Sequence, residues 1–148
     1  MHNLDFTHQD DLARLINFFE TLSPATYVDL SSIYTADAYF KDPFNEVVGL
    51  DKITHIFQHM FVQVENPRFL VTSSILQEDK AFLCWEFYFH MPRFAREQQC
   101  IRGATQVRFT ANGRICMHRD YWDAAEELYE KLPLLGSLMR FLKRFANR

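Results

Sequence analysis

Two features of the sequence predict an α+β fold with helices packed on one face of an antiparallel sheet. Helical periodicity dominates the chain up to about residue 66, and alternating strand-forming residues fill most of the stretch from about 68 to 122. With 148 residues, 48% of them hydrophobic and 16% aromatic, the chain can bury one substantial core without metals or cross-links. One domain over 1–148 is expected, with 124–148 as a C-terminal helical extension.

The first helix places Leu12, Leu15, Ile16, Phe19 and Leu22 on one face, with Thr7 as its candidate N-cap and Ser23-Pro24 as its stop. A shorter helix from about Thr26 buries Tyr27, Leu30, Ile33 and Tyr34, and Ala38 to Asp42 then reads as a strand stopped by Pro43. Gly49 precedes the strongest helical pattern, with Ile53, Ile56, Phe57, Met60, Phe61 and Val64 at one-face spacing, closed by Asn66-Pro67. Beyond it, β-branched and aromatic residues alternate over about 68–77, 81–91, 99–109 and 114–122. Turns at Glu78-Asp79-Lys80 and Ala111-Asn112-Gly113, with a longer loop over 91–98, join these strands into an antiparallel meander. Asp123 caps a further helix, Pro133 interrupts it, and Leu135, Leu138, Met139, Leu142 and Phe145 outline a final amphipathic helix.

A net charge of −3 gives no basic field, so nucleic acid is not an expected partner. The polar, acidic start of the chain and the lack of any apolar run of about 18 residues point to a cytoplasmic protein. Cys84, Cys100 and Cys116 form an odd set without close spacing, which reads as free thiols rather than a disulfide framework or a zinc site. No nucleotide, flavin or metal motif is visible, so no cofactor is expected.

The stretch Tyr34-Thr-Ala-Asp-Ala-Tyr-Phe-Lys-Asp42-Pro43-Phe44, followed by Gly49 and a helix with Ile53 and Phe57, resembles the corresponding region of ketosteroid isomerases. The segment Gly113-Arg-Ile-Cys-Met-His-Arg-Asp-Tyr-Trp-Asp123 resembles the last strand of the same nuclear transport factor 2-like superfamily, including the SnoaL-like polyketide cyclases. The resemblance implies a cone-shaped sheet wrapped around a pocket and a homodimeric assembly. Asp42 matches the isomerases' general base, and Asp120 matches the last-strand aspartate of the cyclases. A gapless count places Phe18 at the isomerases' oxyanion-hole tyrosine and Thr105 at their protonated aspartic acid. Phe18 has no proton to donate, so steroid isomerase activity is not expected.

Alternation on the last strand puts Cys116, His118, Asp120 and Trp122 on one face, which the resemblance turns toward the pocket, and Thr105 on the preceding strand would look the same way. Phe40 and Asp42 also share a face, where a carboxylate beside an aromatic wall suits proton transfer; the competing reading of Asp42 is a carboxylate capping local N–H groups before Pro43. His118 and Asp120, at i and i+2, form either an orienting pair for proton relay or an ion pair at the sheet rim. His55 and His59 have metal-ligand spacing, but they lie opposite the apolar stripe and read as solvated surface. Glu86 enters the pocket or, as preferred, pairs with Arg102 or Arg108.

These residues describe a pocket for a small, mainly apolar molecule, with Asp42 or the His118–Asp120 pair performing acid-base chemistry on a carbonyl compound. The alternative is a non-catalytic binding or dimeric interaction module of the same fold. The basic final helix, with Arg140, Lys143, Arg144 and Arg148, is expected to pack across the pocket mouth as a lid, with a membrane-surface role as the rival.

Overall fold

The structure, a computed structural model, describes residues 3–25, 27–93, 95–128 and 133–146. Helix α1 (Asn3–Glu20) buries Leu12, Leu15, Phe18 and Phe19, with Leu22 just beyond it, at the spacing of one helical face. It begins before Thr7, whose side chain lies outside the described residues, so the expected cap does not set its start. Polar groups on the same face fix its position. Asp11 accepts from Arg14 at 3.1 Å and meets His8 Nδ1 at 3.0 Å, while Arg14 also donates to the Gly113 carbonyl at 3.0 Å.

The expected shorter helix is a 3₁₀ helix over Tyr27–Ser32, interrupted at Asp29; Thr26 itself lies outside the described residues. Tyr34 opens strand β1 (Tyr34–Lys41) instead of closing a helix, because its backbone pairs with Ile115 far along the chain. Strand β2 (Glu46–Val48), too short to announce itself by alternation, pairs antiparallel with β1. Helix α2 (Leu50–Gln63) buries Ile53 and Phe57. Asn66-Pro67 does not end α2 but sits inside strand β3 (Glu65–Gln77): Asn66 has φ 51° at a register shift, and β3 is an edge strand, where a missing N–H does little harm.

Strands β4 (Lys80–His90), β5 (Gln99–Phe109) and β6 (Ile115–Tyr121) complete a six-stranded, curved, unclosed sheet in the order β2-β1-β6-β5-β4-β3. The expected meander is β3 to β6, and the helices pack on its inner face. The pairing of β1 with β6 is parallel. Along β4 the alternation is regular: Ala81, Leu83, Trp85, Phe87 and Phe89 are buried on the inner face.

Asp123 caps α3 (Ala124–Glu127) by accepting from the Ala125 and Glu126 amides. Buried Glu127 takes the Arg102 guanidinium at 2.9 Å. Helix α4 (Pro133–Ala146) follows; of the expected stripe the described side chains Leu138 and Leu142 are 51% and 49% exposed, and neighbouring Phe141 is 62% exposed. The side chains of Leu135, Met139 and Phe145 lie outside the description, as does Arg148. Among the described residues no helix is long and apolar enough to cross a membrane.

Candidate functional site

The concave face of the sheet, α1 and α2 enclose a cavity of about 430 Å³. Its walls are Phe19, Phe40, Phe57, Leu83, Trp85, Phe87 and Phe89. Phe69 stacks on Phe87 at 4.4 Å between ring centroids and meets Trp85 edge-on at 5.5 Å, so the aromatic surfaces form one continuous lining. Polar groups gather at two places: the mouth, with Asp42, Asn45, His55, His59 and Gln63, and the wall formed by β5 and β6.

On that wall the sheet register sets the chemistry. Thr105 lies directly opposite Asp120 on β6 and opposite Leu83 on β4, while Trp85 lies opposite Gly103. A Cβ at Gly103 would come within 2.6 Å of the Trp85 ring, so this glycine is the notch that lets the indole lie flat across β5. From there Trp85 Nε1–H donates to Thr105 Oγ1 at 2.8 Å, and the Thr105 hydroxyl donates to Asp120 Oδ1 at 2.6 Å.

The same Asp120 oxygen meets His118 Nε2 at 2.7 Å, and His118 Nδ1 meets the Tyr34 hydroxyl at 2.8 Å. Burial, and then the nearby Asp120 charge, raise the Tyr34 phenol well above its ordinary 10.0. Tyr34 therefore keeps its proton; a carboxylate oxygen can only accept, so Nε2–H donates to Asp120, and in the neutral imidazole Nδ1 then accepts from the Tyr34 hydroxyl. Every donor in the chain Trp85, Thr105, Asp120, His118, Tyr34 is aimed toward one carboxylate oxygen. The other oxygen, Oδ2, makes no hydrogen bond among the described residues, and the Asp120 side chain is 19% exposed at the cavity wall. Phe40, 4.6 Å from the His118 ring, and edge-on Phe19 hold the imidazole in place.

Asp42, His118, Asp120, Phe40, Thr105 and Trp122 all border this cavity, Trp122 standing edge-on to Phe44 at 5.5 Å. Asp42, however, is engaged locally: its Oδ1 accepts from the Phe44 and Asn45 amides at 2.8 and 2.6 Å, and both oxygens meet Asn45 Nδ2. Phe18 is buried in the helix–sheet core and does not line the cavity, whereas its neighbour Phe19, about 100° further round the helix, does. Cys116 also leaves the lining. Arg108 pairs with Met117 and Phe109 with Ile115, so Cys116 is the extra residue of a bulge, which breaks the period-2 alternation and turns its thiol toward the Arg108 carbonyl.

His55 and His59 are at the cavity mouth rather than on a remote surface, with ring centroids 6.5 Å apart and His59 on Gln63. Among the described residues no cluster of three His, Cys, Asp or Glu could hold a metal ion. Glu86 pairs with neither expected arginine: it accepts from Tyr88, while Arg102 goes to Glu127 and Arg108 to Asp79. Tyr34 and Trp85 are the network members that sequence reasoning missed. Trp85 was within reach, since it shares the inner-face alternation of Leu83 and Phe87.

A family model for the SnoaL-like domain matches residues 15–118, more than half of the chain. The chain belongs to this SnoaL-like family. No curated protein matches it significantly in sequence. Among solved structures, this SnoaL-like chain is similar to a hypothetical protein of ketosteroid isomerase-like fold from Catenulispora acidiphila, solved with trimethylamine. The TM-score is 0.70 at 17% identity, covering 86% of this chain and 96% of that one. It is also similar to a Shewanella putrefaciens protein assigned as a SnoaL-like polyketide cyclase (TM-score 0.66, 16% identity, 82% and 95% covered). A third similar structure is an epoxide hydrolase from M. tuberculosis (TM-score 0.66, 12% identity, 93% and 97% covered). These identities establish the common nuclear transport factor 2-like fold, and the chemistry must be argued from the site.

Proposed function

We propose that this SnoaL-like protein binds one small, mainly apolar carbonyl compound in its cavity, and that Asp120 is the acid-base group acting on it. The observation that carries this reading is the division of labour between the two oxygens of Asp120. Oδ1 is held by Thr105 and His118, which fixes the carboxylate, while Oδ2 is left to accept a proton from a carbon next to the ligand's carbonyl and to return it elsewhere. Tyr34 and His118 position the carboxylate from behind. Beside Asp120, among the described residues, two groups that could face a developing enolate oxygen have no proton to offer: Phe19 is apolar, and the Trp85 N–H is spent on Thr105. Isomerisation of a simple 3-oxo-Δ5 steroid is accordingly expected to be negligible.

The test is incubation with apolar cyclic and aryl ketones in D₂O, reading deuteration beside the carbonyl by NMR. The wild type should exchange protons, and Asp120→Asn should lower the rate by about 10²-fold or more. Ketones that bind without exchange would sink the catalytic reading.

One observation favours a second reading, a non-catalytic binder of small ammonium compounds. Among the described residues the cavity lining holds Asp42 and Asp120 with aromatic rings and no Lys or Arg, and the similar Catenulispora protein was solved with trimethylamine. Thermal stabilisation by trimethylamine, without proton exchange on any ketone, would support it. A homodimer formed through the outer sheet face is proposed on the exposure of Ile75, Phe82 and Tyr121. Ile75→Asp should then convert a dimer to a monomer in analytical ultracentrifugation, and a wild-type monomer would refute this.

A further inference from the structure

The second half of the C-terminal extension differs chemically from the rest of the chain. From Lys131 to Arg148 there are five basic residues and no acidic one, while all 19 Asp and Glu precede it. Within α4, Leu138, Phe141 and Leu142 fall at i, i+3 and i+4, so they share one face, and all three are about half exposed or more. Arg140, Lys143 and Arg144 occupy the remaining directions around the helix and are exposed as well.

Four occupants could cover this apolar face. The protein's own domain leaves these three side chains about half exposed or more. A second copy of α4 would cover the apolar side chains but, having no acidic residue, would bring nothing for Arg140, Lys143 and Arg144 to meet. An acidic protein would answer the charge and leave the three apolar side chains to chance. An anionic bilayer answers both: the apolar side chains enter the acyl boundary, and the basic side chains reach back to the headgroups on their aliphatic stems. At 14 residues the helix is about 21 Å long, enough to lie in the interface and too short to span it.

We propose that α4 is an interfacial helix that docks this protein on anionic lipid bilayers through Leu138, Phe141 and Leu142, flanked by Arg140, Lys143 and Arg144. The docking does not rest on the chemistry at Asp120. It does suit an apolar ligand, which would be concentrated in the same bilayer.

The experiment is co-sedimentation of the full chain with phosphatidylcholine–phosphatidylserine vesicles and with phosphatidylcholine vesicles alone. The wild type should pellet with the anionic vesicles only, and lose binding as ionic strength rises from about 0.05 to about 0.5 M. Reversing three charges with Arg140→Glu, Lys143→Glu and Arg144→Glu should weaken partitioning by about a hundredfold or more. Phe141→Asp with Leu142→Asp, at exposed positions that leave the domain core alone, should abolish it while the urea midpoint holds. Failure of the folded wild type to pellet with anionic vesicles would overturn the proposal, as would equal binding to both vesicle types. So would a concentration-dependent dimer that Phe141→Asp with Leu142→Asp dissolves, because the face would then belong to a second copy.

Discussion

Replacing Thr105 by Val keeps the β-branched shape that a central strand favours and removes one hydroxyl, so its effect isolates the network on the cavity wall. Two hydrogen bonds disappear: Trp85 Nε1–H to Thr105 at 2.8 Å and Thr105 to Asp120 Oδ1 at 2.6 Å. The second goes to a carboxylate and is worth about 1.5–3 kcal/mol, and stranding a buried indole N–H costs about 1–3 kcal/mol more. Water entering the cavity recovers part of this, which leaves an expected loss of about 2–4 kcal/mol. Thr105→Ser keeps the donor and loses only a methyl group, for about 1 kcal/mol. Equilibrium urea unfolding of the three proteins at equal m values reads the difference. A Val variant within about 0.5 kcal/mol of wild type, or a Ser variant worse than Val, would show that the hydrogen bonds carry no net stability and refute the reasoning.

The raised phenol of Tyr34 makes an alkaline prediction: above about pH 10 the unfolded chain releases this proton while the native state keeps it, so stability falls as pH rises. Tyr34→Phe should flatten that limb by about 1.4 kcal/mol per pH unit relative to wild type, measured by urea unfolding between about pH 9 and about pH 11, and parallel limbs would refute it. Gly103→Ala should force the Trp85 ring off β5 and lower the unfolding midpoint, with a shift in tryptophan emission; an unchanged spectrum would mean the notch is not needed. Asp42→Ala should cost about 1–2 kcal/mol by uncapping the Phe44 and Asn45 amides, whereas Asp42→Asn keeps an acceptor and should cost less in the same denaturation assay.

The strands of the meander were legible because each is long enough for alternation to speak and each pairs with its neighbour in sequence. Where pairing is distant the sequence is silent: nothing near Tyr34 announces Ile115, so the residue reads as part of a helix and its bond to His118 cannot be seen. His118, Asp120 and Thr105 are legible together because i, i+2 alternation puts His118 and Asp120 on one face and the family resemblance turns Thr105 the same way; their pairing across β5 and β6 is a finding of the structure. Cys116 failed because a bulge leaves no mark in composition, and Phe18 failed because a helix turns about 100° per residue, so one step moves a side chain off the cavity. His55 and His59 were assigned correctly as exposed, but a helix flank can be both exposed and part of a cavity rim.

The parallel pairing of β1 with β6 also sets an order of events during synthesis. Tyr34 waits for Ile115, and at about 5–20 residues per second the partner follows roughly 4–16 s later. For that interval β1 has only three-residue β2 beside it, and its other edge is open to strands of other chains. The hazard ends when β6 slides between β1 and β5. A nascent chain halted before Ile115 lacks both the strand that seals the sheet and the His118–Asp120 pair on the cavity wall, so premature termination leaves an unsealed β1 edge and an incomplete cavity at once.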